Sequence, residues 1–152
     1  MQYLQFSFWF IIIHTVAYTA AGAIALQLSK DLYEEKNRLL DYLRDMSDPA
    51  ESGYVSKWFI PAQLVRGLLL SIVLYPILGF LGELSFGLRF LFLAGLMFVY
   101  TDLAAAVPFS HNLEGFVYLK SRYVRRDLLW KLYLEMVIYS FIFGAVVGWF
   151  LF

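Results

Sequence analysis

The sequence predicts an all-α integral membrane protein, in which four transmembrane helices form a bundle and a cytoplasmic juxtamembrane helix follows the first. Of its 152 residues, 61% are apolar, whereas a soluble domain is typically about 45–50% apolar. Four apolar stretches, each near the roughly 20 residues that a spanning helix needs, account for most of the chain. They leave no room for a separate soluble domain, so residues 1–152 are expected to form a single unit.

The apolar stretches place the four spans in order along the chain. The spans are about Leu4–Leu28, Trp58–Phe80, Ser85–Val107 and Trp130–Phe152. A short turn at 81–84 joins the second and third spans, which are therefore expected to form a tight hairpin. The two longer connections are residues 29–57 and 108–129.

The first long connection carries a helical pattern. Leu32, Leu39, Leu43 and Met46 recur at helical spacing between charged residues, which predicts that the first helix continues beyond the membrane. A Ser47–Pro49 run is typical of a helix end, because proline disfavours helical backbone in the residue before it. We therefore expect a juxtamembrane helix that stops at this proline. A coiled coil is the alternative, but the pattern covers too few heptads to favour it.

The basic residues predict how the spans are oriented. Ten of the twelve Lys and Arg residues lie in segments 29–57 and 108–131. Segments rich in Lys and Arg stay on the cytoplasmic side, so both termini are expected on the opposite side. Tryptophan favours the membrane interface, and Trp9 and Trp149 fall near the outer interface, with Trp58 and Trp130 near the inner one.

Three charged residues lie inside the predicted spans: Arg66 in the second, Asp102 in the third and Glu135 in the fourth. At a rise of about 1.5 Å per residue, all three fall roughly 5–9 Å from the midplane on the cytoplasmic side. Charges in hydrocarbon are costly and usually functional. We expect Arg66 to pair with Asp102 across the hairpin, while Glu135 completes a triad, binds a cation or stays protonated.

Other polar residues share these helix faces. Gln63 lies close to the face of Arg66, and Tyr139 follows Glu135 by one turn. His14 and Tyr18 belong to one stripe of the first span, where His14 is either a hydrogen-bonded core residue or a ligand. The charged cluster itself has three interpretations: a packing device, a site for a ligand, ion or proton, or a catalytic site.

The segment after the third span holds a second candidate site. His111, Asn112 and Glu114 follow one another closely. A metal ion is one interpretation, but two ligands are a weak signal, and His14 and His111 differ too much in depth to hold one haem. We favour a helix cap, in which Asn112 begins the next helix and Glu114 lies near its positive end.

A row of small residues in the fourth span predicts close helix packing. The row is Ser140, Gly144 and Gly148. Gly144 lies about 180° around the helix from Glu135, so the row is expected to face another copy of the chain in a homo-oligomer. The alternative places the row inside the protomer, against the alanines of the first span.

Composition excludes several classes of function. The absence of cysteine excludes disulfides, Cys-ligated metals and thiol catalysis, and a net charge of zero argues against a nucleic-acid partner. The chain has no nucleophile elbow, HExxH, P-loop or dinucleotide fingerprint, and no cofactor is indicated. The leading hypothesis is an oligomeric transporter, channel or ligand-binding protein for an ion or amphiphile. The alternatives are an accessory subunit of a membrane complex and a membrane-embedded enzyme acting on a lipid.

Overall fold

The computed structural model describes residues 2–34 and 36–152, which are mostly helical, with no strand in those two ranges. Four helical stretches in them are long and apolar enough to cross a membrane: Gln2–Leu28, Pro49–Glu83, Phe86–Leu103 and Arg126–Phe150. The predicted all-helical class and the number of apolar spans are therefore confirmed.

The first helix, α1, runs from Gln2 to Leu28 and packs against the second and fourth apolar stretches. Its buried stripe places small residues in the second half of the helix, where Ala17, Ala21 and Ala25 are almost fully buried. At Gly67 of the second stretch, an added Cβ would lie 3.1 Å from the Cα of Ile11. This glycine therefore permits the close crossing of the two helices.

The prediction of a juxtamembrane helix that continues α1 is wrong. Only a short helix, α2 (Lys30–Tyr33), follows α1, and residues 36–48 form turns. The backbone of this segment folds back on α2, since Leu39 N donates to Asp31 O and Leu40 N to Leu32 O. Its leucines pack on Leu129 and Leu132 of the last helix instead of continuing a stripe, so tertiary burial outweighed the local helical pattern.

The second stretch begins at Pro49 rather than at Trp58. Asp48 and Pro49, which were expected to lie at the end of a helix, begin one instead. Helix α3 spans Pro49–Leu74, and the Asp48 side chain accepts hydrogen bonds from the backbone N–H groups of Ala50 and Glu51. Aspartate at the N-cap and proline at the first helical position both favour a helix start. A 3₁₀ turn at Tyr75–Ile77 and helix α4 (Leu78–Glu83) complete the stretch.

The third stretch changes helix type along its length. Helix α5 spans Phe86–Gly95, and a π-helix continues it over Leu96–Leu103. A short helix α6 (Leu113–Tyr118) follows the connecting loop, and helix α7 spans Arg126–Phe150 and packs on α1 and α5. The π-helix carries Asp102 in its last turn, and π-helical turns occur frequently at functional sites.

The four stretches alternate in direction. The rings of Phe6 and Phe152 lie 5.9 Å apart, and an added Cβ on Gly82 would lie 4.0 Å from Phe152, so the segments near both chain ends meet the 81–84 turn. At the opposite end, the Lys131 ammonium lies 2.6 Å from the Asp31 carboxylate. Both long connections thus lie at the same end, as the charge pattern requires.

The row of Ser140, Gly144 and Gly148 does not form an outer face of the protomer. All three residues are buried. An added Cβ on Gly144 would lie 3.0 Å from Cβ and N of Ala94, and one on Gly148 would lie 3.7 Å from Leu93. The row therefore lies inside the protomer, as the alternative assignment had it, but Gly144 and Gly148 pack against α5 and not against the alanines of α1. The assignment of the row to an outer face is wrong. Self-association stays a prediction without an assigned surface.

This close contact makes Gly144 sensitive to added volume. We expect Gly144→Ala to lower the free energy of unfolding by about 1–3 kcal/mol, because the backbone of α5 must move to admit the methyl group. Unfolding of the purified protein in detergent measures the change. The matched control is Gly95→Ala, whose Cβ would have no atom within 4 Å, and which is expected to leave stability unchanged or slightly raised. Equal effects of the two substitutions would contradict this packing.

Candidate functional site

A polar cavity of about 210 Å³ lies between α1, α3, α7 and the π-helix, toward the end that carries the long connections. Arg66, Asp102 and Glu135, the three charges inside the spans, all line it. The full lining consists of Tyr18, Tyr33, Arg66, Asp102, Phe109, His111, Leu132, Glu135 and Met136. The structure thus brings together the charges that the sequence placed at one depth.

Asp102 is held by His111, not by Arg66 as the sequence suggested. His111 Nε2 lies 2.9 and 3.0 Å from the two carboxylate oxygens of Asp102. A carboxylate only accepts hydrogen bonds, so this nitrogen carries a proton and donates it. Both side chains are largely buried, at 5% exposure for His111 and 14% for Asp102, which strengthens their electrostatic interaction.

The loop before α6 fixes the position of His111. The Asn112 side-chain oxygen accepts hydrogen bonds from the backbone N–H groups of Phe109 and Gly115, and its amide donates to Val107 O. An added Cβ on Gly115 would overlap Phe109 O, so the tight turn requires glycine. Asn112 is therefore the N-cap of α6, with Glu114 in its first turn, and neither of them lines the cavity.

The loop is also tied to α7. The Tyr133 hydroxyl donates a 2.7 Å hydrogen bond to the His111 backbone carbonyl, and the rings of the two residues meet edge to face at 5.5 Å. His111 is therefore held through its backbone by α7 and through its side chain by the π-helix. Its Nδ1 atom is buried and has no hydrogen-bond partner among the described residues, which leaves one nitrogen free for a ligand or water.

Glu135 interacts with a tyrosine that the sequence did not single out. The Tyr33 hydroxyl of α2 donates to Glu135 Oε2 at 3.3 Å. Burial, and then the nearby Glu135 carboxylate, raise the pKa of the Tyr33 hydroxyl above its usual value. Tyr33 therefore keeps its proton and remains a donor. No spacing rule links α2 to α7, so only the folded loop reveals this contact.

Unlike Asp102, Arg66 has no ion pair at short distance to a side chain that lines the cavity with it. Within residues 2–34 and 36–152, no carboxylate oxygen lies within 4.0 Å of its guanidinium. The guanidinium lies over the ring of Tyr18, 5.4 Å from its centroid. A cation–π contact contributes about 0.5–2 kcal/mol, which is less than the roughly 2.5–3.5 kcal/mol that an arginine costs in hydrocarbon.

His14, Gln63 and Tyr139 form a separate cluster further toward the chain ends. His14 Nδ1 lies 2.7 Å from the Tyr139 hydroxyl, which also contacts Met97 Sδ at 3.4 Å. His14 Nε2 and Gln63 Oε1 are buried without a hydrogen-bond partner in the part of the chain that is described. None of these three residues lines the cavity, but Tyr18 connects the two regions because its ring lies 5.2 Å from that of Tyr139.

A fourth buried charge, Arg89, was missed by sequence reasoning because it lies near the start of the third span. Its guanidinium donates hydrogen bonds to the carbonyls of Leu81, Gly82, Leu84 and Gly148. These carbonyls lie near the ends of α4 and α7, where the last turns of a helix lack partners. Arg89 is therefore satisfied by the fold, and it serves to join the ends of two helices.

Comparisons with known protein families, with curated protein sequences and with solved structures found no match to this chain. Among the described residues, no three His, Asp or Glu side chains are arranged to hold a metal ion. The cavity offers an arginine with no carboxylate within 4.0 Å, two carboxylates that already accept hydrogen bonds, and a histidine whose Nδ1 has no partner, all counted among the described residues. This arrangement suits the binding of an anionic group and the transfer of protons.

Water access to the cavity can be tested directly with single cysteines on α7, because the chain has no cysteine of its own. We expect Met136→Cys, which lines the cavity, to react with a water-soluble thiol reagent added from the side of the long connections. Val137→Cys is the matched control, since Val137 is exposed on the outer surface of α7 at nearly the same depth. It should stay unreacted in a bilayer, where lipid covers it. A Met136→Cys variant that stays as unreactive as Val137→Cys would show that water does not reach the cavity.

Proposed function

We propose that this chain is an integral membrane protein whose four apolar stretches span the bilayer as a bundle, and that it transports a ligand bearing an anionic group through the Arg66 cavity. Its two long connections lie in the cytoplasm and both termini lie outside. The observation that supports the function is Arg66: a cation inside the membrane stretch with no carboxylate within 4.0 Å in the described residues.

The contrast with Arg89 supports a functional role for Arg66. The Arg89 guanidinium is fully engaged by backbone carbonyls, as expected of a structural charge. Arg66 contacts a tyrosine ring and borders a cavity. An anion held by the planar guanidinium in two parallel hydrogen bonds supplies the missing partner, and such bidentate pairs are among the strongest in proteins.

The carboxylates of the cavity can couple the binding of the anion to the binding of protons. Arg66, Asp102 and Glu135 give the cavity a formal charge of −1, and a bound monovalent anion makes it −2. Interactions between buried charges are strong because the surroundings screen them poorly. Proton uptake by Glu135 compensates the charge of the anion, so the anion and one proton are bound together. Transport is therefore expected to be faster on the acidic side of neutral pH.

Charge at residue 66 is the direct test of this function. In proteoliposomes, the wild type is expected to take up small carboxylates such as acetate or benzoate. The Arg66→Gln substitution is expected to weaken their binding roughly tenfold to hundredfold, which corresponds to the free energy of one charge-assisted hydrogen bond. Arg66→Lys should retain part of the binding, because it keeps the charge and loses the planar fork. Arg122→Gln, an exposed charge on the 108–129 connection, is the matched control.

Two results would contradict the proposal. One is wild-type protein that neither binds nor moves any anion, including chloride and inorganic phosphate. The other is an Arg66→Gln variant that behaves as the wild type does. A correctly folded variant is recognised by an unchanged unfolding transition in detergent.

A further inference from the structure

A shallow, open groove on the outer face of α3 borders the polar cavity. All of its lining residues belong to this one helix, between Tyr54 and Leu70. Sixteen residues of helix correspond to about 24 Å. Its walls are apolar and exposed, with Val65 and Leu69 each 59% exposed, so in a bilayer the groove opens to lipid.

Arg66 belongs to both the groove and the polar cavity. It is the only charged residue among those that line the groove, and it also lines the polar cavity between the helices. Ala62, one turn before Arg66 on the same face, lines the groove and leaves space beside it. A molecule lying in the groove therefore reaches, at one point only, a cation that has no carboxylate partner in the described residues.

From this shared wall we infer that the ligand is a single-chain fatty acid that enters from the bilayer, with its chain in the α3 groove and its carboxylate on Arg66. The inference rests on the proposed function, because it takes Arg66 to be the anion-binding residue. It adds to that function the class of the ligand and the route by which the ligand reaches Arg66. The charge of Arg66 is complementary to the head group, and the apolar groove is complementary to the chain.

The depth of Arg66 favours a carboxylic acid over a phospholipid head group. Arg66 lies eight residues beyond Trp58, about 12 Å along the helix from the interfacial tryptophan. A carboxyl group in an apolar environment takes up a proton and becomes neutral, so it can move through hydrocarbon to this depth. A phosphodiester remains charged near neutral pH and would carry the full cost of leaving water.

The proton of the acid has an acceptor in the cavity. When the neutral acid reaches Arg66, its O–H bond breaks, and the proton passes to the Glu135 carboxylate, directly or through water, where a new O–H bond forms. The fatty acid is left as a carboxylate paired with the guanidinium. The total charge of the cavity stays at −1 in this exchange, because the ligand brings its own proton.

The test uses a palmitate with a photoreactive group in its chain, added to proteoliposomes of the full-length protein. We expect crosslinks on α3 at Val65, Leu69 and Leu70, and labelling reduced roughly tenfold or more in Arg66→Gln. Ala62→Phe fills the groove beside Arg66 and is expected to reduce labelling as well. Leu91→Phe is the matched control, because it adds an aromatic ring on an exposed face of α5, and its labelling should equal that of the wild type.

Measuring acetate binding beside palmitate labelling distinguishes a failure of this inference from a failure of the proposed function. Acetate binding to the wild type without Arg66-dependent palmitate labelling would overturn lipid entry and leave the anion site standing. Labelling that is the same in Arg66→Gln as in the wild type would overturn the inference too, since lipid chains then contact α3 without specificity. Competition by phosphatidic acid but not by unlabelled palmitate would overturn the choice of a carboxylate. Absence of both acetate and palmitate binding would overturn both proposals.

Discussion

The hydrogen-bonded pair of Asp102 and His111 determines the character of the cavity. It connects the last turn of the π-helix to the loop before α6, and Tyr133 fixes the same loop to α7. The loop thereby forms the cavity wall at the end of the long connections. Both carboxylate oxygens of Asp102 face His111, and within the described residues neither Asp102 nor Glu135 lies within 4.0 Å of Arg66. We propose that an anionic ligand pairs with Arg66 instead.

Several other polar groups inside the apolar stretches are matched to partners by the fold. Ser7 Oγ lies 2.7 Å from Ser71 Oγ and 2.6 Å from the Tyr75 hydroxyl, which joins α1 to the end of α3. Arg89 donates hydrogen bonds to carbonyls near the ends of α4 and α7. In hydrocarbon, an unmatched polar group costs several kcal/mol. Arg66 stands out because it is a full charge beside a cavity, it contacts Tyr18, and no carboxylate of the described residues lies within 4.0 Å of it.

Hydrophobicity and charge predicted the apolar helices and the placement of the charges inside them. The four apolar stretches and the common depth of Arg66, Asp102 and Glu135 were visible because each follows from residue position alone. The start of α3 at Pro49 was missed because Asp48 and Pro49 act there as a cap and a first helical residue, although the same residues also favour a helix end. The folded segment 36–48 was missed because its leucines are buried by α7.

Contacts between distant residues could not be predicted from one sequence. Tyr33 reaches Glu135 across 102 positions in the chain, and the π-helix changes the side-chain register just before Asp102. The glycine row of α7 was recognised as a packing surface, but its partner was not, because small residues permit close approach by any helix. Only the structure shows that α5 occupies it.

A double-mutant cycle for Asp102 tests the central claim most directly. Unfolding in detergent would be measured for Asp102→Asn, His111→Gln and Arg66→Gln, and for Asp102→Asn combined with each of the other two. We expect a coupling of about 0.5–3 kcal/mol between His111 and Asp102, the range found for residues in contact, and a smaller one between Arg66 and Asp102. A larger coupling for Arg66 with Asp102 would show that the two form an ion pair and that Arg66 is not free for a ligand.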